Sequence, residues 1–233
     1  MILLVSPTKT MKTDAPKGTT TPLFVEIASQ LMHQLQQLDI TELQALFKCN
    51  EKIAHQVANY NINWNSEGYY QALALFDGLQ FKSMDIESWS NEDIDYASNH
   101  LMIMSGLYGI LRASDRILPY RLDFNDKLDG NKVNLIHQTK IHDHLLDLNE
   151  IIIDACSKEY QVNDLRLPRI EVQFLENGKS KSTVAKQARG YFTRYFIKER
   201  VNSIEQIKAF SAHGFLFDDK LSTDKRLVFN REG

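Results

Sequence analysis

Ile2-Leu3-Leu4-Val5 runs directly into the polar stretch Ser6-Pro7-Thr8-Lys9-Thr10. A short apolar run that ends this abruptly is typical of a buried strand leaving its sheet. The polar stretch places three hydroxyls and one ammonium at the end of that strand, where open sheets usually carry their sites. Hydroxyls and a cation suit an anion, so the candidate phosphate ligands here are Ser6, Thr8, Lys9 and Thr10. The alternative is an ordinary polar loop, since the glycines of a Walker phosphate loop are absent.

Helical patterns dominate the residues between this strand and position 100. Leu23, Ile27, Leu31 and Leu35 recur every four residues, as on one face of an amphipathic helix. The segment Ser90-Asn91-Glu92-Asp93 has the capping-box pattern and predicts a helix that runs to about Asn99. Further helical patterns lie at Leu43 to Phe47, Ile53 to Val57 and Tyr69 to Leu75.

The second half of the chain mixes helical and strand patterns. Leu101 to Met104 is an apolar run that enters a glycine-punctuated segment, and Ile151 to Ile153 predicts a second buried strand. An alternating stretch around Val172 precedes the turn dipeptide Asn177-Gly178, which predicts a β-hairpin returning through Ser182 to Val184. The remaining predictions are a helix before residues 151–153, a helix from Lys186 to Arg200, a short helix capped by Ser203, and strands at Phe215 and Val228.

Composition and organisation favour one globular domain. The 233 residues are 43% hydrophobic and 24% charged, with 10 Gly and 5 Pro, which excludes a disordered, a collagen-like or a disulfide-scaffold chain. No repeat or linker divides the sequence. We therefore expect residues 1–233 to form a single α/β domain of the mixed α+β kind, with a central mixed sheet and many helices.

The sequence gives no sign of export or of a membrane. The first apolar run is too short for a signal peptide, and no stretch approaches the roughly 18 apolar residues that span a bilayer. Cys49 and Cys156 are far apart and in no pairing motif. We expect a cytoplasmic protein without a membrane partner.

Neither the histidines nor the cysteines predict a metal or cofactor site. His142 and His144 point about 200° apart on a helix, and together with His137 they have no Cys or acidic partner at a recognised spacing. Lys158 would favour a thiolate at Cys156, but a buried inert thiol is the preferred interpretation. We expect no cofactor and no metal.

Charge is distributed unevenly along the chain. Residues 166–200 contain nine Lys or Arg and three Glu, a net charge of +6, whereas the whole chain carries −3. On the predicted helix, Lys186 and Arg189 lie near one another, and Arg194 falls about 140° around from Arg189. The interleaved aromatics are expected to face the core. These three cations are therefore candidates for a phosphate-binding cleft.

The segment from Ser105 to Leu122 concentrates glycines, tyrosines and arginines. Exposed amides at Gly106 and Gly109 can bind a phosphate oxygen as a helix amino terminus does. Tyr108 or Tyr120 would offer a stacking face for a base. The alternative is that the glycines only cap a helix.

Two arginines of this segment complete the predicted phosphate ligands. Arg112 and Arg121 would supply bidentate contacts and would face the same cleft as Lys186 and Arg189. The alternative is structural, with these arginines paired to Asp115 and to the carboxylate at position 123.

Several motifs stand in order along essentially the whole chain. They are Val5-Ser6-Pro7-Thr8-Lys9-Thr10, Ser105-Gly106-Leu107-Tyr108-Gly109, Leu111-Arg112, Asp115, Pro119-Tyr120-Arg121-Leu122, Ser157 with Glu159-Tyr160, and Lys186 with Ala188-Arg189-Gly190 and Arg194. In this order and at these intervals they resemble the motifs of the YaaA-type peroxide stress proteins of bacteria. The chain departs from that pattern at Thr8, where Ala is usual, at Ala113, where Pro is usual, and at Asp123-Phe124, which replaces Glu-Met.

The resemblance implies a positively charged cleft, a helix-hairpin-helix-like element, DNA binding and survival of hydrogen peroxide. Hairpin amides of that element hold backbone phosphates without reading bases, which is the role given above to Gly106 and Gly109. The leading hypothesis is a non-enzymatic protein that binds DNA, or a small phosphorylated ligand, and limits iron-linked oxidative damage. The alternative is an enzyme acting on a nucleotide or nucleobase, with Asp115, Glu159 or Tyr120 as the acid or base.

Overall fold

A seven-stranded mixed sheet forms the centre of the computed structural model, which describes residues 1–161 and 166–233. The strands are β1 (Ile2–Val5), β2 (Tyr70–Gln71), β3 (Leu101–Ser105), β4 (Gly109–Arg112), β5 (Arg116–Ile117), β6 (Lys127–Leu128), β7 (Asn131–Lys132), β8 (Ile152–Asp154), β9 (Arg169–Glu176), β10 (Leu216–Phe217) and β11 (Arg226–Arg231). The main sheet has the order β10-β11-β9-β8-β1-β3-β4, and the pairs β2–β5 and β6–β7 form short antiparallel ribbons.

The predicted first strand, β1, occupies the middle of this sheet. It pairs in parallel with β3 on one side and with β8 on the other, and the parallel run continues through β9 to β11. The edge strands β4 and β10 are antiparallel to their neighbours. All of β1 is buried, as expected for a parallel strand covered on both faces. Because β3 and β8 lie on opposite sides of β1, the carboxyl ends of these three strands form a topological switch point, where open sheets bind ligands.

Helices occupy most of the chain before β3, as predicted. The helices are α1 (Val25–Gln36), α2 (Ile40–Phe47), α3 (Glu51–Ile62), α4 (Ala72–Leu75), α5 (Leu79–Met84), α6 (Asn91–His100), α7 (Val133–Asp147), α8 (Ser182–Lys198) and α9 (Ile204–Lys208). The capping box of α6 is present, because Asp93 N donates to Ser90 Oγ at 3.2 Å and Ser90 N donates to Asp93 Oδ2 at 2.9 Å. Across residues 1–161 and 166–233, the helices are too short or too polar to cross a bilayer.

Phenylalanines hold α8 on the β9–β11 half of the sheet. The rings of Phe174 on β9 and Phe229 on β11 stack with centroids 5.6 Å apart, and Phe192 of α8 lies 5.8 Å from Phe174. Phe192 and Phe196 are fully buried, as expected for aromatics interleaved with the basic residues of this helix. Burying each such ring contributes roughly 1.5–3 kcal/mol, so the rotation of α8 about its axis is firmly set.

A close helix crossing brings α8 against α5. A Cβ added at Gly190 would lie 2.2 Å from the carbonyl oxygen of Gln80, so glycine is required for this approach. The Gln80 side chain in turn donates its Nε2–H to the carbonyl of Ser6 at 3.3 Å. This packing connects α8, which carries Arg189, to the end of β1.

Two local predictions were wrong. Ser182 to Val184 starts α8 instead of a returning strand, and the second half of β9 pairs in parallel with β11. The Gly-Leu-Tyr-Gly segment joins strands β3 and β4 in a β-hairpin, so strands and not helices flank it. The basis for a helix-hairpin-helix element at this position is therefore absent.

Candidate phosphate-binding site

Polar side chains gather at the carboxyl ends of β1 and β8, and we call this group the strand-end cluster. Its members are Ser6, Lys9, Asp123, Ser157, Glu159, Tyr160 and Arg189. Arg121 is counted with them because its charge, like that of Lys9, acts on Asp126, which accepts from Asp123 N, although its guanidinium also lies 5.8 Å from the Phe47 ring. Ser6 and Lys9 lie in the chain that leaves β1, and residues 157–160 lie in the chain that leaves β8. Arg121 and Asp123 lie between β5 and β6, and Arg189 lies on α8. The cluster lies at the switch point because the carboxyl ends of adjacent parallel strands meet at one edge of a sheet.

Two serines connect the ends of β1 and β8. Ser157 N donates to Ser6 Oγ at 2.8 Å, and the two hydroxyl oxygens are 3.0 Å apart. The Ser157 hydroxyl also donates to Glu159 Oε1 at 3.2 Å. Ser6 is 6% exposed whereas Glu159 is exposed. A hydrogen-bonded path therefore runs from a surface carboxylate to a hydroxyl at the end of the central strand.

Asp123 stands between a cation and a phenol. Lys9 Nζ lies 2.5 Å from Asp123 Oδ2, and the Tyr160 hydroxyl donates to Asp123 Oδ1 at 2.6 Å. Burial, followed by the charge of Asp123, raises the pKa of Tyr160 well above its ordinary value, so this phenol remains a proton donor at physiological pH. The Lys9 side chain is 54% exposed. An incoming anion can therefore reach its ammonium and replace Asp123 as its partner.

Two arginines bring unused donors to the cluster. Within the described ranges, the Nε atoms of Arg121 and Arg189 are buried and have no hydrogen-bond partner. Burial lowers the pKa of Arg189, and the charges of the carboxylates Asp154 and Glu159 oppose that shift. A buried donor without a partner costs about 1–3 kcal/mol, a cost that an anion accepting from it relieves.

Cys156 lies beside the cluster as a buried thiol, as predicted. It is 3% exposed, and burial, reinforced by the charge of Asp154, raises its pKa well above the ordinary value. A thiol in this state is a poor nucleophile. The chemistry of the cluster therefore rests on its hydroxyls, carboxylates and cations.

The other two hydroxyls of the first loop have different positions. Thr8 packs against Gly78 at the start of α5, where an added Cβ would lie 2.2 Å from Thr8 Oγ1. Thr10 is exposed, and its amide donates to Thr8 Oγ1 at 3.4 Å. Of the four loop residues predicted to bind phosphate, the structure thus brings Ser6 and Lys9 into the cluster.

The two glycines predicted to bind phosphate are packed inside the protein. Gly106 and Gly109 are both buried, and a Cβ at Gly106 would lie 2.1 Å from the carbonyl oxygen of Leu122. Gly109 has φ of +73° and faces His137, whose Nε2 lies 3.0 Å from Gly106 O. The expected amide site is not available because the turn is filled by its own neighbours.

Arg112 is also separated from the cluster. It pairs with Met102 at the amino end of β3, whereas the cluster lies at the carboxyl end. Arg112 Nη2 lies 2.9 Å from Asp115 Oδ1 and donates to Thr21 O at 2.6 Å. Burial raises the pKa of Asp115. The hydrogen bond from Thr20 and the nearby Arg112 guanidinium oppose this increase. Arg112 is therefore paired to Asp115, which is the structural alternative given for it from the sequence.

The tyrosines predicted to stack on a base are in the core. Tyr108 and Tyr120 are 1% and 3% exposed, and their rings lie 5.5 Å apart. The Tyr120 hydroxyl is 2.7 Å from Ser105 Oγ, and burial raises its pKa. Of the three residues predicted for catalysis, Tyr120 and Asp115 are therefore enclosed, and Glu159 is the one placed in the cluster.

Most cations of the basic segment 166–200 have carboxylate partners. Arg169 pairs with Asp154 at 2.8 Å and Arg194 with Asp85 at 2.7 Å. Further pairs join Lys181 to Glu176, and Lys198 and Arg200 to Asp93. Arg189 reaches the cluster, while Lys186 is exposed one turn earlier on α8. The net charge of +6 thus overstates the positive charge available to a ligand.

Asp123 and Ser157 are cluster members that residue-level reasoning did not select. Their contacts with Lys9, Tyr160 and Ser6 join residues distant in sequence, so local spacing does not indicate them. The signal available was positional, because Ser157 follows the predicted strand Ile151 to Ile153 as Ser6 follows Ile2 to Val5. In the ranges that the structure describes, no group of three His, Cys, Asp or Glu is placed to hold a metal ion.

Comparison with known proteins adds a family to this geometry. A family model described as peroxide stress protein YaaA matches residues 1–221. A UPF0246 protein of Finegoldia magna is 34% identical over 98% of this chain and 97% of its own length. Another from Ligilactobacillus salivarius is 33% identical over 98% of this chain and 99% of its own length. The matches cover both halves of the sheet and every member of the strand-end cluster.

Proposed function

Because this chain belongs to the YaaA family of peroxide stress proteins, we propose that it limits oxidative damage by binding DNA through the strand-end cluster. The ligand groups are backbone phosphates, and the cluster holds them without reading sequence. The observation that carries the proposal is the pair of buried guanidinium Nε donors, on Arg121 and Arg189, that lack partners among the described residues.

The surroundings of these donors suit a phosphate. Lys9 adds an ammonium on a half-exposed side chain, and Ser6 and Ser157 add hydroxyls at the strand ends. Charge-assisted hydrogen bonds from arginine to phosphate are about twice as strong as neutral ones. An anion in the cluster satisfies the buried donors and replaces Asp123 as the partner of Lys9.

Binding over a salt series tests this proposal. If the cluster contacts several phosphates of duplex DNA, log affinity falls against log salt with a slope of about −0.9 per contact. Arg189→Gln, which removes the charge and leaves a polar side chain that ends near the position of Nε, should lower affinity about tenfold and make the slope less steep by about one contact. The loss should be the same for unrelated sequences.

Arg194→Gln is the matched control, because Arg194 lies on the same helix but pairs with Asp85 outside the cluster. Its affinity and salt slope should equal those of the unmodified protein. An affinity that does not change with salt, or an Arg189→Gln loss no larger than that of the control, overturns the proposal.

A second candidate function is an enzyme that acts on a nucleotide or nucleobase. The hydrogen-bonded path from Glu159 through Ser157 to Ser6 favours it, since backbone binding alone does not need a carboxylate that can accept a proton. The neighbouring Tyr160 hydroxyl donates to Asp123 Oδ1. Chromatography of nucleoside monophosphates incubated with the protein tests this function. Release of base or phosphate that Glu159→Gln abolishes establishes it, and unchanged substrates exclude it for those compounds.

A further inference from the structure

A small cavity adjoins the strand-end cluster and shares one residue with it. The cavity has a volume of about 110 Å³. The lining residues are Met104, Phe124, Asn134, Gln138, Ile141, His142, Glu159 and Gln161. Glu159 is the shared residue, because it belongs to the cluster through Ser157 and also lines the cavity.

The dimensions of the cavity suit one planar ring. An apolar cavity of roughly 150 Å³ in another protein holds a benzene molecule, so a space of about 110 Å³ has room for no more than one small ring. Its apolar walls are Met104 at the end of β3, Phe124 and Ile141. The Phe124 ring is held against Tyr160, with centroids 4.9 Å apart, and gives the cavity an aromatic wall fixed in place.

The polar edge of the cavity presents hydrogen-bond acceptors. Within the described residues, Asn134 Oδ1 is buried and has no hydrogen-bond partner. The side-chain amide of Gln161, another lining residue, donates to Glu171 Oε1 at 3.0 Å. Glu159 is bonded by Ser157 through one carboxylate oxygen, Oε1. Among the described residues that line this cavity, Asn134 Oδ1 is the one such atom, and a buried acceptor without a partner indicates a missing donor.

We propose that this cavity binds a single unpaired cytosine, with its amino edge toward Asn134 and Glu159, while the strand-end cluster holds the adjoining phosphates. Cytosine offers an exocyclic N–H₂ donor, and carboxylates and amide oxygens are the acceptors that pair with it. Its ring packs against Phe124, because bases stack on aromatic side chains whatever their sequence. The inference rests on the proposed function and adds to it a preference for DNA that contains an extruded base.

Four duplexes of one sequence test the cavity. They are fully paired, or carry at one position an unpaired cytosine, an unpaired thymine or an abasic site. The protein should bind the cytosine duplex about tenfold more tightly than the abasic one, with thymine between them. Asn134→Ala should reduce the preference for cytosine to less than about threefold and leave the affinity for the abasic duplex unchanged. Thr139→Ala, on the exposed side of the same helix, is the matched control and should keep the full preference.

The outcomes separate the cavity from the phosphate site. Equal affinity for the cytosine and abasic duplexes, with the loss in Arg189→Gln retained, overturns the cavity and leaves the proposed function standing. If no duplex binds, the proposed function fails, and titration of cytidine monophosphate against ribose 5-phosphate tests the cavity by itself in the unmodified protein. The nucleotide should bind at least about tenfold more tightly, and equal binding overturns the cavity.

Discussion

The β3–β4 hairpin and the strand-end cluster contain similar residues but differ in what is left unpaired. In the hairpin region, Arg112 is fully engaged by Asp115 and Thr21, and Gly106 and Gly109 are covered by their neighbours. In the part of the cluster that the structure describes, the Nε donors of two arginines are buried without hydrogen-bond partners, and the exposed Lys9 side chain pairs with Asp123. The comparison shows that the residue types of a phosphate site are not sufficient, because partners and access decide whether those residues bind a ligand.

Variants in each region distinguish a structural role from a binding role. A variant of the hairpin region should lose stability and keep its affinity for DNA. A variant of the cluster should do the opposite, as set out above for Arg189→Gln.

Gly106→Ala should have the largest effect on stability. The new Cβ would lie 2.1 Å from the Leu122 carbonyl oxygen and 2.5 Å from its carbonyl carbon, and neither is a flexible side chain that can move away. We expect a loss of about 4 kcal/mol, at the exceptional end for a point variant. Urea unfolding measures it, and DNA affinity in the folded fraction should be unchanged. If the variant were stable but bound DNA more weakly, the turn at Gly106 would have a role in binding.

Arg112→Ala should cost about 3 kcal/mol, because it leaves the buried Asp115 carboxylate without its cation. Thr20 still donates to Asp115 at 2.7 Å, which keeps the loss at the lower end for a broken buried pair. Thermal unfolding should report the change, with the salt slope of DNA binding unaltered. Arg112→Ala combined with Asp115→Leu is the control and should recover part of the stability. A reduced salt slope for Arg112→Ala would place this arginine on the ligand.

His137 should make stability depend on pH. Burial lowers the pKa of His137 from 6.5 to about 4, a shift that hydrogen bonds to Gly106 and Leu107 only partly offset. The unfolded chain therefore binds the proton first, so stability is lost as pH falls from about 6.5 to about 4. Between neutral pH and pH 5 the loss should be about 2 kcal/mol. Urea unfolding at both pH values measures it, and His137→Gln should remove this part of the dependence. An identical loss in the variant would assign it to other groups.

The sequence was sufficient for those elements whose signal is local. Ile2 to Val5 is a buried central strand because a continuous apolar run has no other stable place, and Ser90 with Asp93 starts a helix because the cap is formed within four residues. The strand Ile152–Asp154 was found for the first of these reasons.

Pairings between residues that are distant along the chain could not be predicted from the sequence. Asn177-Gly178 is a turn, as predicted, but whether the chain after it returns as a strand depends on β11, which takes that edge of β9 from fifty residues later. Likewise, Arg112 and Arg121 are equivalent as sequence, and only the antiparallel register of β4 carries the first to the opposite end of the sheet. The site residues that directly follow a strand could be predicted from the sequence. Which of several similar cations reaches the site could not, because packing between distant elements decides it.

Arg194→Gln should have the smallest effect, and this makes it the most informative control for the comparison. Arg194 and Asp85 form an ion pair with both side chains nearly half exposed, at 43% and 48%. Water screens such a pair, so its removal should cost between about 0 and 1 kcal/mol. Arg194 also lies on α8 within two turns of Arg189, and both variants remove one positive charge from the same helix. If DNA binding responded only to the net charge of this helix, the two variants would lose affinity equally. We expect Arg194→Gln to bind as the unmodified protein does at each salt concentration, because the position of a cation at the strand ends, and not its presence on α8, determines contact with phosphate.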